Sequence, residues 1–234
     1  MIAELLSIVK VSIFQPRCKL CDNILVSRDE KIICNECKSK IKINLEPVCR
    51  KCGKLLNIDG DLCGECLINP PIFRKHISYS IYEGEIRDLI LLYKYLEIEK
   101  LKKLIASCYI ELFYKKVDEE FDFIIPVPSD DGRKREYDHI LEVSKILSKE
   151  LGIRLLPNNL IKIKRTLPQA GLSMRKRLNN LNKAFKLNDP VEISKKKILL
   201  IDDVYTTGTT VKKCAGLMKR VKADVIVLTL ARSV

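Results

Sequence analysis

No stretch of this 234-residue chain reaches the ~18 consecutive apolar residues that a membrane-spanning helix needs. Residues Met1 to Phe14 lack a basic start and a cleavage site and carry Glu4 and Lys10, so they do not read as an export signal. Ile2, Leu5, Leu6, Val9 and Ile13 instead fall at helical spacing, which predicts a short docking helix. With neither span nor signal, the expected location is the cytoplasm. Tryptophan is absent, and eight Tyr and six Phe offer few rings on which nucleic-acid bases would stack. Acidic residues are also short, 30 Asp and Glu against 43 Lys and Arg, for a formal charge of +13.

A hydrophobic content of 47% excludes wholesale disorder, and the length suits one domain of ordinary size plus a small module. The basic excess is uneven: Arg154 to Lys197 holds 12 basic and 2 acidic residues. Such a block favours polyanions, nucleic acid or phosphorylated substrates. It equally suits a solvated face in a chain whose composition favours lysine and isoleucine.

Eight of the ten cysteines form four C-x-x-C pairs: Cys18/Cys21, Cys34/Cys37, Cys49/Cys52 and Cys63/Cys66, separated by 12, 11 and 10 residues. Each pair sets two sulfurs on one side of a tight knuckle, half of a tetrahedral Zn²⁺ shell, so four pairs predict two structural four-cysteine zinc sites. Disulfides need an oxidising compartment, and a redox site does not need four copies. Some 50 residues rich in Lys, Asn and Asp cannot close a sizeable core, and metal binding would hold the module together instead. Pairing first with second and third with fourth needs the shorter loops; a cross-brace is the other arrangement. Bound as thiolates, the two sites would bring the net charge to about +9. Ile68 to Pro71, I-N-P-P, reads as a linker, dividing the chain into a zinc module over 1–71 and a second domain over 72–234.

The second domain is predicted from its periodicities. His76 to Tyr82 alternates as a half-buried strand, Ile86 to Tyr95 and Leu101 to Val117 have helical spacing, and Phe121 to Pro128 is a strand. A helix follows over Tyr137 to Leu151, then short strands at Ile153 to Leu156 and Leu160 to Ile163. Cys108 and Cys214 read as core, and His76 as a strand or surface residue without a ligand role.

Ile198 to Thr210, I-L-L-I-D-D-V-Y-T-T-G-T-T, organises this domain. Four apolar residues predict a strand buried on both faces, with Asp202 and Asp203 at its end and a helix beginning beyond Gly208. Gly208 permits positive φ and close backbone approach. Loop N–H groups, the hydroxyls of Thr206, Thr207, Thr209 and Thr210, and the helix dipole suit a phosphate. Ionised aspartates are pure acceptors and suit a vicinal diol. One element gripping both is a cradle for ribose 5-phosphate. The loop lacks the lysine of a triphosphate-binding loop, which points to a monophosphate.

These residues resemble the phosphoribosyl-diphosphate (PRPP) motif of type I phosphoribosyltransferases, in which two acids hold the ribose hydroxyls and the T-T-G-T-T loop holds the 5′-phosphate. The resemblance implies an α/β fold, a parallel sheet with flanking helices. It also implies that the loop after Pro128 holds pyrophosphate with Mg²⁺, here through Ser129, Gly132, Arg133 and Arg135, with Lys94, Arg165 and Arg177 as further cations. Arg165, Gln169, Leu172, Arg177, Asn180, Ala184 and Phe185 keep a second spacing pattern. Together with the four knuckles, Pro126-Val127-Pro128, Tyr82-x-Gly84 and Leu92-Tyr93-Lys94-Tyr95, it resembles the ComF competence family over about Cys18 to Arg232. That resemblance implies a PRPP-binding protein of DNA uptake that engages single-stranded DNA and competence-machinery proteins. A salvage phosphoribosyltransferase and a non-enzymatic PRPP-sensing adaptor are the competing readings. The family's R-G-F-N-Q is replaced here by Arg135-Glu136-Tyr137-Asp138-His139, and the loop is about two residues short. The glycine that turns backbone N–H groups toward a diphosphate is missing, which leaves turnover open. No segment identifies an acceptor base.

Overall fold

The computed structural model describes residues 16–25, 32–44, 47–56, 60–95, 99–128, 138–163 and 184–233. The expected docking helix lies outside them, as do Ser129, Gly132, Arg133 and Arg135 of the pyrophosphate loop, and Arg165 and Arg177.

The cysteine-rich part is the same unit built twice. Bridges pair Arg17 with Ile24 and, 31 residues on, Val48 with Leu55. Each encloses a C-x-x-C knuckle whose following residue has positive φ, Asp22 at 61° and Gly53 at 69°. Both second knuckles sit at a helix start: Cys34 caps helix α1 (Asn35–Lys40) and Cys63 precedes α2 (Gly64–Ile68).

Downstream, five strands form one parallel sheet: β1 (Lys75–Ile81), β2 (Phe123–Pro126), β3 (Arg154–Leu155), β6 (Lys197–Tyr205) and β7 (Asp224–Arg232). Their spatial order is β1-β7-β6-β2-β3. Two short strands, β4 (Leu160–Lys162) and β5 (Phe185–Leu187), pair antiparallel beside the sheet. β7 is an addition to the elements read from the sequence, although Val225 to Leu230 carries the same apolar signal as β6.

The apolar run of β6 is buried because the sheet is covered on both sides. Leu199 and Ile201 enter one layer with Ile124, Ile226 and Leu228, beneath α3 (Gly84–Tyr95), α4 (Lys102–Lys116) and α5 (His139–Leu151). Ile198 and Leu200 enter the other with Phe123, Val225 and Val227, beneath α6 (Thr209–Arg220). All four β6 side chains are fully buried, as a doubly covered parallel strand requires. Helix α5 begins two residues later than its periodicity predicts because Asp138 caps it, its carboxylate accepting the Ile140 and Leu141 N–H groups at 3.0 Å.

Strand β1 is an edge, and the zinc ribbons cover it. The His76 N–H donates to the Lys51 carbonyl at 3.0 Å, and the Asn44 N–H to the Tyr79 carbonyl at 2.6 Å. Bare strand edges recruit other chains, so this cover also protects the sheet.

Candidate functional site

Chain direction reverses between β2 and β6: from β2 the chain runs outward to β3, and from β6 outward the other way to β7. In open α/β sheets a ligand binds at such a switch point, beyond the carboxyl ends of the strands. The carboxyl end of β6 carries Asp202 and Asp203, then the turn Thr206 to Gly208 and the N-terminus of α6.

The strand runs on past the two acids to Tyr205, so they lie within its final residues rather than beyond it. Asp203 is paired with Lys94 of α3, Nζ to Oδ2 at 2.5 Å, and the Asp203 charge raises the Lys94 ammonium above its ordinary range. The Asp202 carbonyl accepts the buried Tyr109 hydroxyl of α4 at 2.5 Å. Burial, and then the adjacent Asp203 charge, push the Asp202 carboxyl up to about 8. Burial thus favours the protonated form of Asp202, where the sequence suggested two acceptor-only carboxylates. A protonated Asp202 donates as well as accepts, which still matches a diol.

The turn is held from inside. Thr207 and Thr209 hydroxyls bond each other at 2.7 Å, and the Thr209 N–H reaches Thr207 Oγ1 at 3.4 Å. Thr209 is buried, Thr207 and Thr210 are partly exposed, and Thr206 is exposed. Gly208 occupies the cap position of α6 with φ 69°, and a Cβ there would lie 2.1 Å from the Tyr205 hydroxyl. Two independent constraints thus demand glycine: left-handed backbone and an aromatic floor. Gly208, at the cap position, has no side chain to offer, and the turn lies at the positive, N-terminal end of the α6 dipole.

The eight knuckle cysteines fall into two clusters, Cys18/Cys21/Cys34/Cys37 and Cys49/Cys52/Cys63/Cys66, with ligand atoms all within 4.8 Å of one another. Pairing is sequential, the shorter-loop arrangement, and the cross-brace is ruled out. Sulfur separations of 3.9 Å (Cys18–Cys37), 3.7 Å (Cys21–Cys34) and 3.6 Å (Cys52–Cys63) match the ~3.8 Å edge of a tetrahedron with Zn–S near 2.3 Å. None of the ten cysteines is in a disulfide. N–H groups of Leu20 and Cys34 point at Cys18 Sγ, and that of Cys37 at Cys34 Sγ, each at 3.4 Å, as thiolate ligands require. The donor sets fit zinc and leave no open coordination position, so the sites are structural.

The double zinc ribbon domain family matches residues 10–67, and the phosphoribosyl transferase domain family matches residues 141–233. The chain is 30% identical to "Competence protein F" of Haemophilus influenzae over 224 residues, 92% of this chain and 96% of that one. The chain belongs to the competence protein F family. It is also 27% identical over 194 residues to "DNA utilization protein YhgH" of Salmonella typhi, covering 80% of this chain and 84% of that protein. Identity to "Competence protein ComFC" of Streptococcus pneumoniae is 26% over 212 residues, covering 89% and 91%. Among solved structures, an adenine phosphoribosyltransferase of Leishmania tarentolae overlaps 60% of this chain and 74% of its own, at TM-score 0.39 and 15% identity.

Of the residues singled out from the sequence, the structure brings together Asp202, Asp203, Lys94, Thr206, Thr207, Gly208, Thr209 and Thr210. Lys94 is on a carboxylate rather than on open solvent. His139 opens α5 as a buried helix residue, its ring 4.9 Å edge-on to Tyr93. Cys108 and Cys214 are core, as expected. His76 is neither surface nor idle. It is buried, stacks on Tyr205 at 4.2 Å, and bonds the Cys52 carbonyl at 2.8 Å through Nδ1 and Thr229 Oγ1 at 2.9 Å through Nε2. Since a carbonyl only accepts, Nδ1 carries the proton. Tyr205, Arg232 and Tyr109 carried no sequence signal of their own, and only the packing of the fold reveals their partners.

Proposed function

We propose that this chain binds PRPP at the carboxyl end of β6 and acts in DNA uptake during natural transformation. Asp202 and Asp203 take the ribose diol, and Thr206 to Thr210 take the 5′-phosphate against the α6 N-terminus. Mg²⁺ accompanies the diphosphate, which the segment after Pro128 would hold through Ser129, Gly132, Arg133 and Arg135, with Arg165 and Arg177 as further cations. In this reading residues 1–71 carry zinc and 72–234 carry the ligand, in the cytoplasm. The observation that supports it most is the contiguity, in one strand–turn–helix element at the sheet's switch point, of an acidic pair, a threonine-rich turn and a helix N-terminus.

Names of the relatives, competence and DNA utilization proteins, support the cellular role. The basic block Arg154 to Lys197 is the feature that would carry single-stranded DNA. With no Trp, that contact would be dominated by phosphates, and its affinity would fall steeply with salt. Competence-machinery proteins would be the other partners.

The deciding measurement is PRPP titration with Mg²⁺ beside a pyrophosphate-release assay against nucleobases and single-stranded DNA. Wild-type chain is expected to bind PRPP, and Asp202→Asn/Asp203→Asn to lose at least about tenfold in affinity, ~1.4 kcal/mol. Unchanged affinity in the double variant removes the cradle assignment. Binding without pyrophosphate release would make the chain an adaptor rather than a transferase.

A further inference from the structure

Strand β6 ends in Tyr205, whose ring is the floor under Gly208. Three neighbours fix that ring. His76 stacks on it at 4.2 Å and 24°, Phe73 meets it edge-on at 6.2 Å, and the Arg232 guanidinium lies 5.2 Å from its centroid. Two of the three are tied to one residue of the second zinc cluster. Arg232 Nε donates to the Cys52 carbonyl at 2.9 Å and Nη2 approaches Cys52 Sγ at 3.8 Å, while His76 Nδ1 donates to the same carbonyl at 2.8 Å. A second tie runs outside the ring, Lys212 of α6 to Glu65 of α2 at 3.6 Å. Between them lies a small cavity of about 170 Å³ bounded by Cys52, Cys66, Thr206, Thr207, Lys212 and Arg232. The first cluster has a different neighbourhood: Cys18, Cys34 and Cys37 pack into the opposite layer with Tyr79, Ile86 and Leu89.

We infer that the second zinc ribbon, and not the first, positions the phosphate turn, through Cys52, Arg232 and His76 onto Tyr205 and from its ring onto Gly208. The physical reason is the shape of the linkage. An aromatic ring held by packed neighbours transmits a displacement of its clamps to whatever rests on it, because packed side chains do not compress. Gly208 has no Cβ with which to stand off the ring. The Cys52 sulfur is one of the four clustered ligand atoms, so loading of this cluster bears on the geometry of the turn. Tyr205, His76 and Arg232 are positioning residues. That the turn so positioned serves a phosphate rests on the function proposed above.

The test is amide hydrogen exchange on the full zinc-loaded chain, read separately in peptides spanning 206–211 and in the β6 core 198–201. Removing the second cluster's metal by Cys63→Ser/Cys66→Ser leaves Cys52 chemically intact, and exchange in 206–211 is expected to accelerate by at least about tenfold. Tyr205→Leu is expected to do the same with two zinc ions still bound, whereas Tyr205→Phe, which keeps the ring, stays near wild type. Removing the first cluster's metal by Cys21→Ser/Cys37→Ser is expected to leave 206–211 protected. Arg232→Gln, with zinc content intact, is the variant to read should the cysteine variants fail to fold. Unchanged exchange in Arg232→Gln and Tyr205→Leu, or equal acceleration on losing either cluster, overturns the inference. Ribose 5-phosphate and PRPP titrations on the same samples keep the two readings apart: absent binding by wild type removes the phosphate assignment, while the exchange pattern still decides the linkage.

Discussion

Lys94 on α3 and Asp203 on β6 form a 2.5 Å ion pair between residues 109 apart in sequence, and it closes the site from the helix side. In the sequence Lys94 is a candidate cation between two tyrosines, and nothing there ties it to Asp203. In the fold it is the countercharge set against Asp203, beside a second acid.

The pair is partly exposed, 37% at Lys94 and 17% at Asp203, so its value lies between that of a surface and a buried bridge. Lys94→Ala is expected to destabilise by about 1–2 kcal/mol, because it leaves Asp203 without this partner beside Asp202. Lys94→Ala/Asp203→Asn should recover part of that loss. A double-mutant cycle by urea denaturation measures the coupling, and strictly additive effects would show that the pair contributes nothing.

Asp202 gives stability a pH dependence of predictable sign. Its folded-state pKa of about 8 lies above the ordinary carboxylate value, so the folded chain holds a proton that the unfolded chain releases first. The stabilisation is complete below about pH 4 and is lost as pH rises from there to about 8, at up to ~1.4 kcal/mol per pH unit. Asp202→Asn should flatten this part of the curve and raise Tm at pH 8 relative to wild type. Thermal melts across about pH 5 to 9 in both proteins check it, and parallel curves would place the proton elsewhere.

The sequence made some of this visible and hid the rest for physical reasons. Motifs contiguous in the chain were legible: four knuckles, the β6 run, the acids and the turn all announce themselves through spacing. The boundary of β6 was not, because two aspartates look like a strand end, whereas pairing with β7 carries the strand through to Tyr205. The role of His76 was hidden for the same reason. Its partners are Cys52, Thr229 and Tyr205, three residues from three distant segments, and no local pattern encodes their meeting. Even the knuckle pairing needed coordinates, since four equivalent pairs at near-equal spacing permit both a sequential and a crossed arrangement.

Gly208→Ala tests the turn. Left-handed backbone costs a residue with a Cβ about 1–2 kcal/mol, and the new methyl also meets the Tyr205 ring. The turn must open or the ring must move. PRPP affinity is expected to fall by at least about a hundredfold, ~2.7 kcal/mol. Adding Tyr205→Leu should relieve the steric part of the stability loss but not the backbone part. A Gly208→Ala protein of unchanged affinity would mean that the ligand does not use this turn.

Zinc removal should strike the sheet as well as the ribbons. Each structural site contributes on the order of 10 kcal/mol to the fold of its ribbon. The ribbons also supply the backbone partners of β1, Lys51 to His76 and Asn44 to Tyr79, on the sheet's edge. Chelation in a reducing buffer is therefore expected to release two zinc ions per chain, to expose the β1 edge, and to drive self-association that β1 pairing explains. Replacing Ser78 by Pro, which places a residue without an N–H on that strand, should reduce the association of the stripped protein. Zinc content by metal analysis and particle size by light scattering follow the two events together. A stripped chain that stays monomeric would show that the ribbons are not what guards this edge.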